Sequence, residues 1–216
     1  MQYKSKVDII YELLMKGITS GVYKCGDRLV IRQIAQQNSI SEIPVREAIR
    51  RLESEGYVTI HPNQGAMVSM MTASDVLEIF QLKGLLEGYA TRMAIDYLTE
   101  KDYEELRQIN EELRRATKEH EFGLCGELNM KFHLRIYDCL PQRRLTDMIV
   151  ELWKKWQITK SVFKHSPDRS MHSVCDHESI LHLMKEKRCD EVEMLVRDHK
   201  FRAGYELAEY IEKANK

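Results

Sequence analysis

Along this 216-residue chain the apolar positions keep two different rhythms. From Thr72 onward they recur at steps of three and four with few glycines or prolines and no strand composition, so one amphipathic helix should follow another. The spacing predicts helices over 72–97, 99–118, 121–139, 142–162, 170–186 and 189–213. Thr99 followed by Asp102 has the pattern of a capping box, and Thr72 can cap the first helix of the set. An all-α bundle over 72–216 is therefore expected.

Residues 1–71 differ. Between Gly26 and Gly65 the chain reads as two short helices, a third helix opening at Ser41, and a β-hairpin. Val45, Ala48, Ile49 and Leu52 fall at i, i+3, i+4 and i+7 and form one buried stripe, while Glu42, Arg46 and Arg50 lie off it at steps of four. Ser41 can serve as N-cap, and Pro44 sits in the first turn, where its missing N–H costs little. Ile31, Ile34 and Ala35 mark the core side of the preceding helix, with Asn38-Ser39 as the turn. After Gly56 the residues 57–61 and 66–70 have strand composition around the turn-rich Pro62-Asn63-Gln64-Gly65. The expected fold class is mainly α: an N-terminal winged helix-turn-helix of three helices and a hairpin wing, then the helical bundle. Such a helix pair can present its second helix to a DNA major groove.

Charge supports this division weakly. The net charge is −1, with nine Lys/Arg against seven Asp/Glu in residues 1–71 and 24 against 27 in the rest. Attraction to phosphates must then come from local clustering of Lys24, Arg28, Arg32, Arg46, Arg50 and Arg51. The five cysteines are odd in number, widely spaced and without C-x-x-C, which argues against a disulfide framework and a zinc knuckle and fits a reducing cytoplasm. No apolar run approaches a membrane span, and no signal-peptide core opens the chain.

The first segment resembles the DNA-binding domain of the GntR family of bacterial transcription regulators. The resemblance rests on Gly26, Arg28-Leu29, Arg32, Ala35, Ser41, Pro44-Val45-Arg46-Glu47-Ala48, Glu55-Gly56 and Gly65-Ala66-x-Val68. It implies contacts to a palindromic double-stranded operator from Arg28, Arg32, Ser41, Glu42, Arg46, Arg50, Asn63, Gln64 and Gly65. The family usually carries a basic residue where Glu42 stands. Two readings of Glu42 are open: it accepts a hydrogen bond from cytosine N4 and changes the half-site read, or it pairs with Arg46 one turn on and touches no DNA.

In the second part, three predicted helices each turn an imidazole toward their packed side. His133 lies with Asn129 at i, i+4 beside the stripe Leu128, Phe132, Ile136 and Leu140; His177 begins the stripe Ile180, Leu181, Met184; His199 continues Val192, Leu195, Val196. One such histidine is ordinarily a hydrogen-bonded core residue. Three together with an amide point to a divalent metal, zinc or nickel, which neutral imidazoles suit. Here the sequence also resembles the FCD ligand-binding domain of the FadR subgroup, through N-x-x-F-H at 129–133, D-H-x-x-I-L at 176–181 and R-D-H at 197–199. That resemblance implies the ligand set Asn129, His133, His177 and His199. Asp is the commoner first ligand, and the neutral amide leaves the site one negative charge poorer.

In the first bundle helix, Val76, Ile79, Leu86, Ala90, Met93 and Tyr97 follow a 3–4 spacing whose missing member is Lys83. A snorkelling stem is one account of it. Since relatives place an arginine here, the resemblance implies instead that Lys83 meets the carboxylate of a small organic-acid effector bound at the metal. Trp153 and Trp156, with Met148, Ile149 and Leu152, read as packing or an interface. His165, His172 and His182 share no face with the main set, and the Arg114-Arg115 and Lys154-Lys155 pairs read as solvated.

These features together predict a cytoplasmic, homodimeric transcriptional repressor controlled by a carboxylate at a metal site. The alternatives are a regulator that senses the metal itself and a metal-dependent hydrolase. The hydrolase lacks an H-E-x-x-H pattern, and Glu178, the neighbour of His177, points about 100° away around the helix.

Overall fold

The structure is a computed structural model; it describes residues 4–20, 22–24, 26–62, 64–69, 72–155, 163 and 168–214. The chain divides into two compact units, Met1–Met71 and Thr72–Lys216.

The first unit holds α1 (Lys6–Ser20), β1 (Arg28–Leu29), α2 (Ile31–Gln37), α3 (Glu42–Ser54), β2 (Val58–His61) and β3 (Gly65–Val68). The three helices and the wing are those of a winged helix-turn-helix, but their placement corrects one expectation. The first helix lies upstream of Gly26, and the segment read as a short helix before α2 is the strand β1. Its two residues pair antiparallel with β3, Arg28 against Met67 and Leu29 against Ala66, giving the sheet order β1-β3-β2. Strand pairing fixes the segment because Leu29 can then be buried with Val58, Ala66 and Val68.

In α3 the stripe Val45, Ala48, Ile49 and Leu52 is buried as its spacing predicts, packed with Ile10 and Leu14 of α1 and Ile34 and Ala35 of α2. Tyr11 of α1 donates to Glu55 at 2.5 Å while the Arg51 guanidinium sits 3.9 Å over its ring, pinning α1 to α3. Ser41 has N-cap backbone angles, yet its side chain makes no capping bond. The other end of α3 is closed by a Schellman motif: Tyr57 N–H donates to Leu52 O and Gly56 N–H to Glu53 O, with Gly56 at φ 82°.

The second unit is helical throughout its described residues: α4 (Ala73–Ala94), α5 (Glu100–Lys118), α6 (Phe122–Tyr137), α7 (Arg143–Lys155), α8 (Asp168–Lys185) and α9 (Cys189–Ala214). The part of the predicted 142–162 helix beyond Lys155 lies outside the described residues. Thr72 and Thr99 both form complete capping boxes, with Asp75 and Asp102. The long pair α4 and α9 packs through glycines. A Cβ on Gly88 would stand 2.8 Å from Glu193 O, and one on Gly204 2.5 Å from Phe80 Cβ. This close approach sets the rotation of α4 and shifts its buried seam from the predicted one. Val76 and Ala90 of the predicted seam are buried, together with Phe80, Lys83, Gly84, Glu87, Gly88, Thr91 and Ala94, whereas Ile79, Leu86 and Met93 are half-buried and Tyr97 is exposed.

Candidate functional site

Helices α6, α8 and α9 bring three imidazoles to one buried point. His133 Nε2 lies 3.3 Å from both His177 Nε2 and His199 Nε2, and the ligand atoms all fall within 4.8 Å of one another. The outer nitrogens decide which lone pairs face inward. Asn110 donates its amide to Val174 O at 3.1 Å, which turns its Oδ1 toward His177 Nδ1 at 3.0 Å. His199 Nδ1 is 2.7 Å from Asp176 Oδ2, and Arg202 holds the same carboxylate. Both Nδ1 atoms therefore carry the hydrogen, and both Nε2 atoms present bare lone pairs.

One proton on His133 Nε2 can bridge only one of its two 3.3 Å contacts, so at least one inward Nε2 lone pair stays without a donor unless a cation lies between the rings. A tetrahedral ion with bonds of about 2.0–2.1 Å separates its nitrogens by about 3.4 Å, close to the two contacts seen. Asn129 Oδ1 is buried with no partner among the described residues, and Asn129 lines the same small cavity as His199. The donor set thus fits a divalent ion. Burial drives His133 and His177 well below the ordinary imidazole range and His199 to about 3, which keeps the neutral, ligating form at physiological pH.

Beside the imidazoles lies a buried charge cluster. Glu87 Oε2 accepts from Lys200 at 2.9 Å and from the Tyr137 hydroxyl at 3.0 Å, and it stands 3.9 Å from His133 Nδ1. Lys83 is fully buried, 3.8 Å from Glu87 Oε1 and thus out of hydrogen-bond reach, with its ammonium 3.1 Å from the Trp153 ring centroid. Burial lowers Lys83 to about 7 and Lys200 to about 8. Arg169, also buried, donates to His199 O at 2.6 Å. Lys83, Trp153, Arg169 and Lys200 line, with Asn129 and His199, a cavity of about 20 Å³, enough for a water or an ion. A wider groove of about 420 Å³ between α5 and α8 includes Arg107, Glu178, His182 and Lys185, but each of these already has an ionic partner.

In the first unit Arg28, Arg32, Arg46 and Arg50 are all exposed, as are Ser41 and Gln64, while Gly65 is half-buried at φ 85°. Arg28, Arg32 and Arg50 have no ionic partner among the described residues. Glu42 accepts from Arg46 at 2.7 Å, so the intrahelical pair exists in the free protein. Asn63 lies outside the described residues.

The sequence profile of the bacterial regulatory proteins of the gntR family matches residues 6–68, and that of the FCD domain matches residues 78–201. The chain belongs to the GntR family. It is 33% identical over 143 residues to the uncharacterised HTH-type transcriptional regulator YdhC of Bacillus subtilis, covering 64% of this chain and 62% of that one. It is 32% identical over 136 residues to the HTH-type transcriptional regulator McbR of Escherichia coli, again 62% of the relative's length. The match thus spans less than two thirds of these relatives. The Nta operon transcriptional regulator of Aminobacter aminovorans is 25% identical over 180 residues, 82% of each chain. Among solved structures, E. coli McbR/YncC superposes with a TM-score of 0.73 at 23% identity, over 99% of this chain and 100% of that one, a likeness of fold.

In this GntR-family protein the structure brings His133, His177 and His199 together and sets Asn129 and Lys83 on the adjoining cavity. Sequence reasoning missed Glu87, Asn110, Asp176, Arg169 and Lys200. Glu87 had a signal, lying at i+4 from Lys83; Asp176 was visible beside His177 but serves His199; Asn110 and Arg169 had none. Trp153, read as packing, is part of the apolar core and also caps Lys83. His172 and His182 are exposed as expected, and Trp156 and His165 lie outside the described residues. No described helix is long and apolar enough to cross a membrane.

Proposed function

We propose that this protein is a DNA-binding transcriptional regulator, a cytoplasmic repressor that sits as a homodimer on a palindromic double-stranded operator. Its operator affinity is set by a small carboxylate held at a divalent metal, zinc or nickel, in the helical unit. The observation that carries the control half of this reading is the buried convergence of three Nε2 atoms, two of them oriented by hydrogen bonds behind them. Asn129, His133, His177 and His199 would hold the ion, which supplies a positive point for carboxylate oxygens, and Lys83 meets the acid beside it.

The DNA half is supported by the family and by the exposed arginines. Arg28, Arg32 and Arg50 are free for phosphates and base edges, with Ser41 opening α3 and Gln64 and Gly65 at the wing; Asn63 is proposed to contact DNA with them. Glu42 pairs with Arg46 in the free protein, and on this reading it turns to the half-site when the helix meets DNA. Ile43, 67% exposed beside them, adds an apolar surface suited to a thymine methyl. Leu82, Leu85 and Tyr89, a solvent-exposed stripe on one face of α4, support the homodimer. A coupling of about 1–3 kcal/mol between effector and operator would change DNA affinity by roughly 5–150-fold.

One observation favours a second reading, in which the metal itself is the signal: the space beside the imidazoles is narrow, about 20 Å³. A hydrolase has less support, because Glu178 is exposed and paired with Arg114. The deciding experiment is native mass spectrometry of the full chain, followed by operator titrations. A dimer with one metal per chain, lost in a His133→Ala/His177→Ala variant, and an operator affinity altered by carboxylates is the expected result. Operator affinity that follows metal but no acid would replace the first reading with the second. A chain that stays metal-free after incubation with zinc and nickel would sink both.

A further inference from the structure

The three imidazoles are not served alike on their outer sides. His199 Nδ1 has the Asp176 carboxylate at 2.7 Å, and His177 Nδ1 has the amide oxygen of Asn110 at 3.0 Å. His133 Nδ1 is buried with no hydrogen-bond partner among the described residues. An ion held by His133 Nε2 leaves the ring hydrogen of the neutral imidazole on Nδ1, and a buried N–H without an acceptor is costly.

One acceptor stands close to it. Glu87, on α4, has Oε2 3.9 Å from His133 Nδ1, and both side chains are fully buried, so bulk water serves neither. Oε2 already accepts from Lys200 and from the Tyr137 hydroxyl, whereas Oε1 is buried with no hydrogen-bond partner among the described residues. The other groups around the ring cannot take the hydrogen in its plane. Phe132 and Trp153 meet His133 with their rings, at centroid distances of 5.5 and 6.0 Å, and the ammonium groups of Lys83 and Lys200 only donate.

We propose that Glu87 is the positioning residue of His133: when the three imidazoles hold an ion, its carboxylate accepts the Nδ1 hydrogen and fixes the ring with Nε2 facing the ion. This rests on the metal reading above and adds α4 to the helices that build the centre. Closing 3.9 Å to an ordinary hydrogen bond requires a movement of about 1 Å. All three imidazoles are then backed by an acceptor, Asp176, Asn110 and Glu87. Asn129 brings no negative charge to the ion, so the charge near it comes from behind the rings, from Asp176 and Glu87, which also makes the ligating nitrogens more basic. A Glu87 that did no more than balance Lys200 would leave the His133 ring indifferent to it.

The test is nuclear magnetic resonance of the full chain with nitrogen-15 in its histidine rings, recorded with one equivalent of zinc, together with zinc affinity from chelator competition. In the unsubstituted protein His133 should ligate through Nε2, and its Nδ1 proton should appear far downfield and exchange slowly with water. In Glu87→Gln that signal should move upfield while those of His177 and His199 hold, and zinc affinity should fall by about 10–100-fold. A His133 Nδ1 proton that exchanges freely, or that stays in place in Glu87→Gln even though zinc affinity falls, would overturn the proposal and leave the metal reading standing. Ligation of His133 through Nδ1 would do the same. Histidine signals unchanged by zinc would remove the metal reading and the proposal together. The spectrum of the unsubstituted protein decides the matter even if Glu87→Gln folds poorly.

Discussion

The two units place their chemistry in opposite environments. In the winged helix the arginines stand exposed and mostly unpaired on a face whose reverse side is a complete apolar core. In the bundle the working groups are inside: His133, His177, His199, Lys83, Lys200 and Glu87 are all buried. A surface site needs only that one helix present one face, and water satisfies whatever its partner does not. An interior site must satisfy every polar atom from protein or ligand, and Lys83 Nζ, Asn129 Oδ1 and His133 Nδ1 are buried without a hydrogen-bond partner among the described residues.

If that contrast is right, interior changes should be costly and surface changes mild. The largest effect is expected from His133→Ala/His177→Ala, which should abolish zinc binding in native mass spectra; a variant that keeps one ion per chain would break the comparison outright. Next comes Asp176→Asn, which leaves the ligands in place but weakens the orientation of His199. Metal affinity should fall by about 10–100-fold in a chelator competition, as outer partners of ligating imidazoles typically cost. Gly88→Val should destabilise the helical unit by about 1–3 kcal/mol in urea melts, because its first added carbon meets Glu193 backbone oxygen at 2.8 Å.

Lys83→Met sharpens the comparison through pH. Lys83 sits at about 7 in the folded protein against an ordinary 10.5, so between those values the unfolded chain holds a proton that the folded one gives up. Stability of the metal-free protein should therefore rise with pH across that window, and Lys83→Met should flatten part of the rise. The mildest change is Arg50→Ala. Folding stability should stay within about 0.5 kcal/mol, while the salt dependence of DNA binding should lose about one unit of slope. A stability loss as large as that of Gly88→Val would mean that Arg50 is a packing residue.

Much of this was legible from residues alone. The stripe Val45, Ala48, Ile49, Leu52 and the threonine capping boxes at 72 and 99 appear where their spacing put them, because both are properties of one local segment. The three histidines were visible for the same reason, each on the apolar face of its own helix. The strand β1 was misread because two residues carry no period; only pairing with β3 makes them a strand. The seam of α4 was misplaced because Gly84 and Gly88 look like interruptions in sequence but are the surface against which α9 closes.

By itself the sequence determined the helices, the winged domain, the family and the three inward histidines, since periodicity, caps and short motifs are encoded within a few turns of chain. Tertiary structure alone decided which groups share a cavity. Asp176 serves His199 rather than its neighbour His177, Glu87 answers Lys200 from another helix, and Trp153 covers Lys83. Those pairings depend on how far each helix is rotated and how closely it approaches the next, and that is set by glycines and side-chain volumes distributed over the whole bundle.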